Sequence, residues 1–333
     1  MTPAPGRSPP RLARGSHLRI LAPARSLQHI APRVRAAADE RLRGLGFALS
    51  FGHHVEEKDE FNSTSVAHRV ADLHAAWEDP AVQGMLTVIG GYNSNQLLRS
   101  IDYRLLERNP KVFCGYSDIT ALHLAIHAKT GHITYYGPHY SNFGDVEGAD
   151  YSVESFLQTT TTANPFEVSP SRSWSEDAWF LPAPVPRHFP PNPGPRVLQP
   201  GKAEGVLLGG NLCTVNLLQG TEYLPDLAGA LVFVEDVGEA ATPPYFDRNL
   251  QSLLHQKGGD QIAGLLIGRF QSQANMTDSL LEKIVASKPE LEGIPVVSGF
   301  DFGHTTPMMT LPMGGRGSVE AADTSVRLRW LDH

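Results

Sequence analysis

The sequence predicts an α/β protein built on a parallel sheet covered by helices on both faces, followed by a second α/β unit. Two observations carry this. From His17 to Ala128, short apolar runs that end in Gly or Pro alternate with stretches of helical period, and the alternation resumes after a proline-rich interruption at 164–201. Strands alternating with helices imply parallel pairing with both faces buried.

The elements follow in order. His17–Ala22 is an apolar strand stopped by Pro23. Pro32–Leu45 is a helix with Val34, Ala37, Leu42 and Leu45 on one face. Phe47–Phe51 is the second strand, and Ser65–Trp77 a helix with Val66, Val70, Leu73 and Trp77 at three- and four-residue steps. Gly84–Ile89 is a buried strand ending at Gly90-Gly91. A helix is expected over Leu97–Leu106, a strand over Lys111–Cys114, and a helix over Ile119–Ala128. In the C-terminal part the expected strands are Ala230–Val234, Ile262–Ile267 and Pro295–Ser298, with helices at Arg248–Gln256 and Asp278–Ser287.

The 333 residues suit two domains, at roughly 100–200 residues each. The expected boundaries are 17–163, a crossing and substrate loop at 164–201, and 202–333. The crossing carries many prolines, but Trp174 and Trp179 argue against disorder in it. The first 16 residues, rich in Pro, Arg and Gly, are expected to be a disordered tail.

Composition excludes several classes. Hydrophobic residues at 41% and charged residues at 19% make an ordinary globular balance. A formal net charge of −7 without a basic stripe opposes nucleic-acid binding. No apolar run approaches the roughly 18 residues of a membrane span, and Arg19 and Pro23 interrupt the one apolar stretch near the N-terminus. A cytoplasmic enzyme is the expectation. Cys114 and Cys213 are too few for a disulfide scaffold and read as small buried side chains. His53-His54 and His123/His127 are the nearest approaches to a metal motif, and the second pair, which could share a helix face, lacks the intervening glutamate of H-E-x-x-H, so no metal is expected.

Ligands of open parallel sheets bind where strands end. Three strands end in unusual residues: Gly90-Gly-Tyr-Asn-Ser-Asn, Gly115-Tyr-Ser-Asp and Glu235-Asp. Ser117 follows a strand and opens a helix, which fits a nucleophile on a sharp turn and equally an N-cap. Ile119 stands where the α/β-hydrolase elbow has its second glycine, which weighs against that class. The glycine pair permits close backbone approach to a ligand, or is a turn. His304, in Asp301-Phe-Gly-His-Thr-Thr-Pro, is a loop histidine. Glu235, at the tip of an apolar strand, is either solvated or holds a partner.

Taken together, Gly90-Gly-Tyr-Asn-Ser-Asn, Gly115-Tyr-Ser-Asp-Ile-Thr-Ala-Leu, Leu208-Gly-Gly-Asn-Leu, Phe233-Val-Glu-Asp and Phe302-Gly-His-Thr-Thr-Pro resemble the LD-carboxypeptidase family of serine peptidases. The resemblance spans about Leu18 to Arg316. It implies a doubly wound N-terminal domain with the nucleophile, a smaller C-terminal α/β domain, a homodimer and no cofactor. Carried over, Ser117 is the nucleophile, His304 the general base and Glu235 its orienting carboxylate. The backbone N–H groups of Gly91 and Asp118 form the oxyanion hole, and Asn211 contacts substrate.

Within the family, Ser173-Trp-Ser-Glu-Asp-Ala-Trp-Phe resembles the microcin-immunity branch, where loop aromatics hold a nucleobase. That implies a peptidyl-nucleotide substrate with Trp174 and Trp179 as contacts. Asn192-Pro-Gly-Pro departs from the branch by placing Pro195 where an aromatic is expected. The alternatives are a murein tetrapeptide carboxypeptidase, with the tryptophans as packing, and a non-catalytic small-molecule binding protein. An esterase is disfavoured by the lack of an HGGG motif.

Overall fold

A computed structural model describes residues 6–183, 185–322 and 325–333. The N-terminal part runs β1 (His17–Leu21), α1 (Pro32–Gly44), β2 (Ala48–Phe51), α2 (Val66–Glu78), β3 (Gly84–Thr87), α3 (Tyr103–Arg108), β4 (Val112–Gly115), α4 (Thr120–Thr130), β5 (Thr134–Tyr136) and α5 (Asp150–Thr161). Strands β6 (Phe166–Val168) and β7 (Arg196–Gln199) follow. Then come β8 (Gly201–Asn211), α6 (Leu212–Asn216), β9 (Leu231–Glu235), α7 (Pro243–Leu254), β10 (Gly264–Gly268), α8 (Asp278–Ala286), β11 (Val296–Phe300), β12 (Leu311–Met313), β13 (Arg316–Ala322) and β14 (Ser325–Asp332).

The first sheet has the order β12-β5-β4-β3-β1-β2 and is parallel except at β12. Its β2-β1-β3-β4-β5 core is the doubly wound order that reverses direction between β1 and β3, and the crevice at that reversal is where such folds bind ligands. The second sheet, β6-β14-β13-β8-β9-β10-β11-β7, joins a parallel centre to antiparallel edges. Its central strands are buried along their whole length, Leu231–Glu235 and Gly264–Gly268 among them. This matches their unbroken apolar runs.

Several expectations need correction. The anticipated disordered tail is ordered from Gly6 onward, and residues 1–5 lie outside the described residues. Gly6 N–H donates to Gly314 O at 2.7 Å, Arg7 bridges to His132, and Leu12 sits 2% exposed in the core. Proline and glycine deny this strip a helix or a long strand, but single backbone bonds and one apolar anchor fix it.

The helix expected over Leu97–Leu106 is split into a 3-10 turn at Ser94–Leu97 and α3. Asp102 accepts from the N–H groups of Arg104 and Leu105 and so starts a new helix in mid-pattern. The helix expected from Arg248 begins at Pro243 instead. Proline at the first turn removes an N–H that no helical acceptor would have taken. Cys213, expected to be buried, is exposed.

The crossing is not wholly irregular, since β6 and β7 become opposite edges of the second sheet. The chain also returns: β12, from the C-terminal part, pairs antiparallel with β5. With eight strands against six, the second sheet is the larger of the two.

Candidate active site

Strand β4 ends at Gly115, and a 3-10 turn at Ser117–Ile119 leads into α4. Ser117 has φ of +59°, a left-handed conformation that a residue with a Cβ adopts at a cost of about 1–3 kcal/mol. This strained elbow, rather than a capping bond, is what the turn does with its serine. The C-terminal sheet delivers Glu235 from the end of β9 and His304 from the loop after β11.

The three side chains meet. His304 Nε2 lies 3.1 Å from Ser117 Oγ, and His304 Nδ1 lies 2.7 Å from Glu235 Oε2. Gly303, at φ +106°, makes this approach feasible, because a Cβ there would fall 2.8 Å from Glu235 Oε2. Burial resists charge on His304, but the carboxylate of Glu235, bonded to it, outweighs burial and raises its pKa. Burial likewise pushes Glu235 up. The charge of His304 and hydrogen bonds from His304, Tyr136 and Asn211 reverse that and hold its pKa below the ordinary carboxylate value.

The glycine loop sits against Ser117. A Cβ on Gly90 would lie 3.0 Å from Ser117 Cβ and 3.1 Å from its Oγ. Asp118 ties the two motifs together: its Oδ2 accepts from Asn93 N–H (3.1 Å) and Ser94 N–H (2.9 Å), and its carbonyl accepts from Ser94 Oγ (2.6 Å). Asp118 is the second residue of its helical turn, so its own N–H has no intrahelical acceptor. Gly91 lines the cavity beside Ser117.

A cavity of about 920 Å³ opens over Ser117, His304, Gly90 and Gly91. It is walled by the strip after β1, by Tyr116 and His139, and by Trp179, Phe180 and Leu181 from the crossing. Among the described residues no aspartate or glutamate lines it, whereas Arg25, His29 and Arg35 do. Arg35 is paired with Glu56 at 2.8 Å. Arg25 forms no ion pair among the described residues, and its Nε is buried without a partner. Burial and the charges of Arg25 and Lys58 hold the pKa of His29 down.

The sequence-predicted contacts divide. Trp179 lies on the cavity wall, where the Arg33 guanidinium fastens its carbonyl at 2.6 Å. Trp174 does not line the cavity. Its ring packs under the Arg269 guanidinium at 4.9 Å, and that arginine is paired with Asp301. Asn211, expected to contact substrate, is turned inward and 4% exposed. Its Nδ2 donates to Glu235 Oε1 (3.2 Å) and Asp236 Oδ1 (3.1 Å), and its Oδ1 accepts from Thr214 N–H and Oγ1. Both amide donors are used in holding the carboxylate pair, and the amide oxygen is taken by Thr214. His123, weighed as a metal ligand, is fixed between Thr134 Oγ1 and Gly115 O, and burial lowers its pKa to about 4.

Sequence reasoning missed Tyr136 and His139. The Tyr136 hydroxyl donates to Glu235 Oε1 at 2.7 Å and accepts from Ser117 N–H at 3.2 Å. The His139 ring packs on Tyr116 at 4.3 Å, with its Nδ1 2.6 Å from Thr87 Oγ1. The signal was available: β5 is one more strand of the first sheet ending at the crevice, in Tyr136-Gly-Pro-His139.

A serine, histidine and carboxylate in hydrogen-bonded series, on a doubly wound fold joined to a second sheet, are the equipment of a serine-type carboxypeptidase. Residues 18–137 match the LD-carboxypeptidase N-terminal domain and residues 204–319 its C-terminal domain, so the chain belongs to the LD-carboxypeptidase family. A putative carboxypeptidase, YocD of Bacillus subtilis, is 45% identical over 97% of this chain and 98% of its own. A probable murein peptide carboxypeptidase of the same organism is 31% identical over 95% of this chain and 92% of its own. Among solved structures, an MccF-like protein from Bacillus anthracis superposes with a TM-score of 0.96 at 43% identity, covering 98% of this chain and 100% of that one. The microcin C7 self-immunity protein MccF in complex with aspartyl sulfamoyl adenosine gives 0.87 at 27% identity, over 99% of both chains.

Proposed function

We propose that Ser117, His304 and Glu235 act as a catalytic triad that hydrolyses the amide of an acyl or peptidyl nucleotide, as a self-immunity or detoxifying peptidase would. The observation that carries the reading is the unbroken hydrogen-bond series from Ser117 Oγ through the His304 ring to Glu235. Ser117 Oγ attacks the scissile carbonyl as His304 Nε2 takes its proton. The N–H groups of Gly91 and Asp118 receive the oxyanion, and each such donor is worth about 3 kcal/mol. His304 then protonates the leaving nitrogen, and the amine departs. Water, deprotonated by the same imidazole, releases the acyl group and restores the serine.

Two features support a leaving group that is both anionic and aromatic. Arg25 brings a charge without an ion pair to a cavity that, among the described residues, has no lining carboxylate, and Trp179 offers a ring on its wall. The likeness to a protein complexed with aspartyl sulfamoyl adenosine points the same way. The second reading is a murein tetrapeptide carboxypeptidase, in which Arg25 receives the carboxylate of the departing D-alanine. The reading implies a small-molecule substrate and, by its family, a homodimer without a cofactor. Among the described residues no helix is long and apolar enough to cross a membrane.

Purified protein and its Ser117→Ala variant would be given aspartyl sulfamoyl adenosine and a murein tetrapeptide separately. Release of aspartate from the first alone, absent in the variant, supports the immunity reading. Release of D-alanine from the second alone replaces it with wall recycling, and no release from either removes both.

A further inference from the structure

Away from the triad, the loop between β2 and α2 holds a cluster that the catalytic reading does not use. Its sequence from His53 to Glu60 is His-His-Val-Glu-Glu-Lys-Asp-Glu, so Glu56, Glu57, Asp59 and Glu60 give it a local excess of negative charge. Two histidines turn onto one of these carboxylates. His54 Nδ1 lies 2.7 Å from Glu57 Oε1, and His68 Nδ1 lies 2.6 Å from Glu57 Oε2. The two imidazoles are stacked, with centroids 3.9 Å apart and planes 12° from parallel.

The backbone under these side chains is fixed. His54 N–H donates to Asp72 Oδ2 at 2.9 Å, and His68 stands in the first turn of α2, where its N–H is capped by Ser65 Oγ at 3.1 Å. Thr64 Oγ1 donates to Glu57 Oε2 at 2.6 Å and holds the carboxylate from the other side. Both rings turn Nδ1 to the same carboxylate, so a cation that displaced those two N–H protons would meet two nitrogen ligands and one oxygen ligand.

We propose that His54, Glu57 and His68 form a surface site for a divalent transition-metal ion, with zinc the best match. Two imidazoles and one carboxylate suit zinc and its neighbours in the first transition row rather than calcium or magnesium, which favour oxygen alone. The three ligand atoms already lie within 4.8 Å of one another. Zinc needs about 2.0–2.2 Å to each, and rotation of the exposed Glu57 and His68 side chains closes the difference. Water takes the fourth position.

The ion would bear on the substrate cavity through the loop it joins. Leu27 N–H donates to Val55 O (2.9 Å), Ser26 N–H to Asn62 O (2.9 Å) and Ser63 Oγ to Ala24 O (2.7 Å). The strip so held contains Arg25 and runs on to Gln28 and His29, all on the cavity wall. An ion clamping the loop to α2 stiffens that wall. The ligand order, His-x2-Glu-x10-His, has no short motif and becomes visible only when the loop is folded.

The test uses the tag-free full chain, treated with chelator and dialysed. Zinc would be titrated by calorimetry and cobalt by visible absorption, for the wild type and for the surface variants His68→Ala and Glu57→Gln. The proposal expects one ion per chain, affinity weakened about tenfold or more in each variant, and loss of binding as protons compete below the histidine range. It is overturned if the wild type yields neither heat nor cobalt absorption. It is equally overturned if both variants bind as the wild type does, which would put the ion elsewhere.

Discussion

The Tyr136 hydroxyl donates to Glu235 Oε1 at 2.7 Å and, at the same oxygen, accepts the backbone N–H of Ser117 at 3.2 Å. One buried tyrosine on the first sheet thus joins the Ser117 backbone to the carboxylate that the second sheet supplies. Removing the hydroxyl leaves Glu235 Oε1 with Asn211 alone. A hydrogen bond to a charged group is worth about 1.5–3 kcal/mol. Tyr136→Phe is therefore expected to lower kcat about ten- to hundredfold, with KM little changed. Steady-state kinetics on a chain whose circular dichroism matches wild type would check this, and an unchanged kcat would reduce the tyrosine to packing.

The elbow gives a prediction about stability that is separate from activity. Ser117 holds φ at +59°, where glycine is at ease and alanine is not. Ser117→Ala and Ser117→Gly should both be inactive. The glycine variant should nevertheless unfold at the higher temperature, by about 1 kcal/mol in stability. Equal melting temperatures would mean that the elbow carries no strain.

The fold was legible in the sequence where one period dominated. Apolar runs at Gly84–Thr87 and Leu231–Glu235 announced buried strands because both their faces are covered. β8, β13 and β14 were not read. β13 and β14 alternate buried and exposed residues along one half-covered face, and β8 begins the same way at Gly201. Such patterns resemble surface loop when taken singly. Ser117, Glu235 and His304, which the structure brings together, were singled out through motifs, but their neighbours were not. Asn211 was expected to face substrate, and its inward turn depends on Asp236 and Glu235 arriving from another strand. Tyr136 carried no motif at all.

The charges of His304 and Glu235 fix the sign of two pH profiles. Because Glu235 raises His304 above its ordinary value of 6.5 despite burial, the neutral base forms only on the alkaline side of that value. Activity should therefore rise with pH through a titration displaced above the usual histidine range. Stability should run the other way. The raised His304 contributes fully below 6.5 and loses its contribution as pH rises through the folded value. The lowered Glu235 contributes above 4.5 and loses its share as pH falls through its own folded value. Asp236, raised from 3.8 to about 7 by burial and by the charge of Glu235, contributes fully below 3.8 and has lost that contribution once pH passes about 7. The pair therefore stabilises most between 4.5 and 6.5, on the acid side of the activity optimum. In Glu235→Gln the acid limb of kcat/KM should move down, since the charge that raises His304 is gone. A limb that stays in place would place the titration elsewhere.

Arg25 offers a test that does not depend on which leaving group is correct. Its guanidinium has no ion pair among the described residues, so Arg25→Gln deletes an attraction without stranding a partner charge. KM should rise about tenfold for either anionic substrate, and added salt should erode the difference between variant and wild type. A variant with wild-type KM at low salt would remove Arg25 from substrate binding.

The tryptophans decide between the two substrate classes. Trp179 stands on the cavity wall, while Trp174 is covered by the Arg269 guanidinium, which is itself held by Asp301. A base stacked on an aromatic ring gains about 1–3 kcal/mol. Trp179→Ala should therefore raise KM for aspartyl sulfamoyl adenosine about five- to hundredfold, and Trp174→Ala should leave it near wild type while lowering the melting temperature. Trp179→Phe, which keeps a ring, should recover part of the loss. For a murein tetrapeptide, which carries no base, neither change should alter KM. If Trp179→Ala leaves the nucleotide KM unchanged, the wall aromatic is packing and the anion at Arg25 becomes the main recognition element.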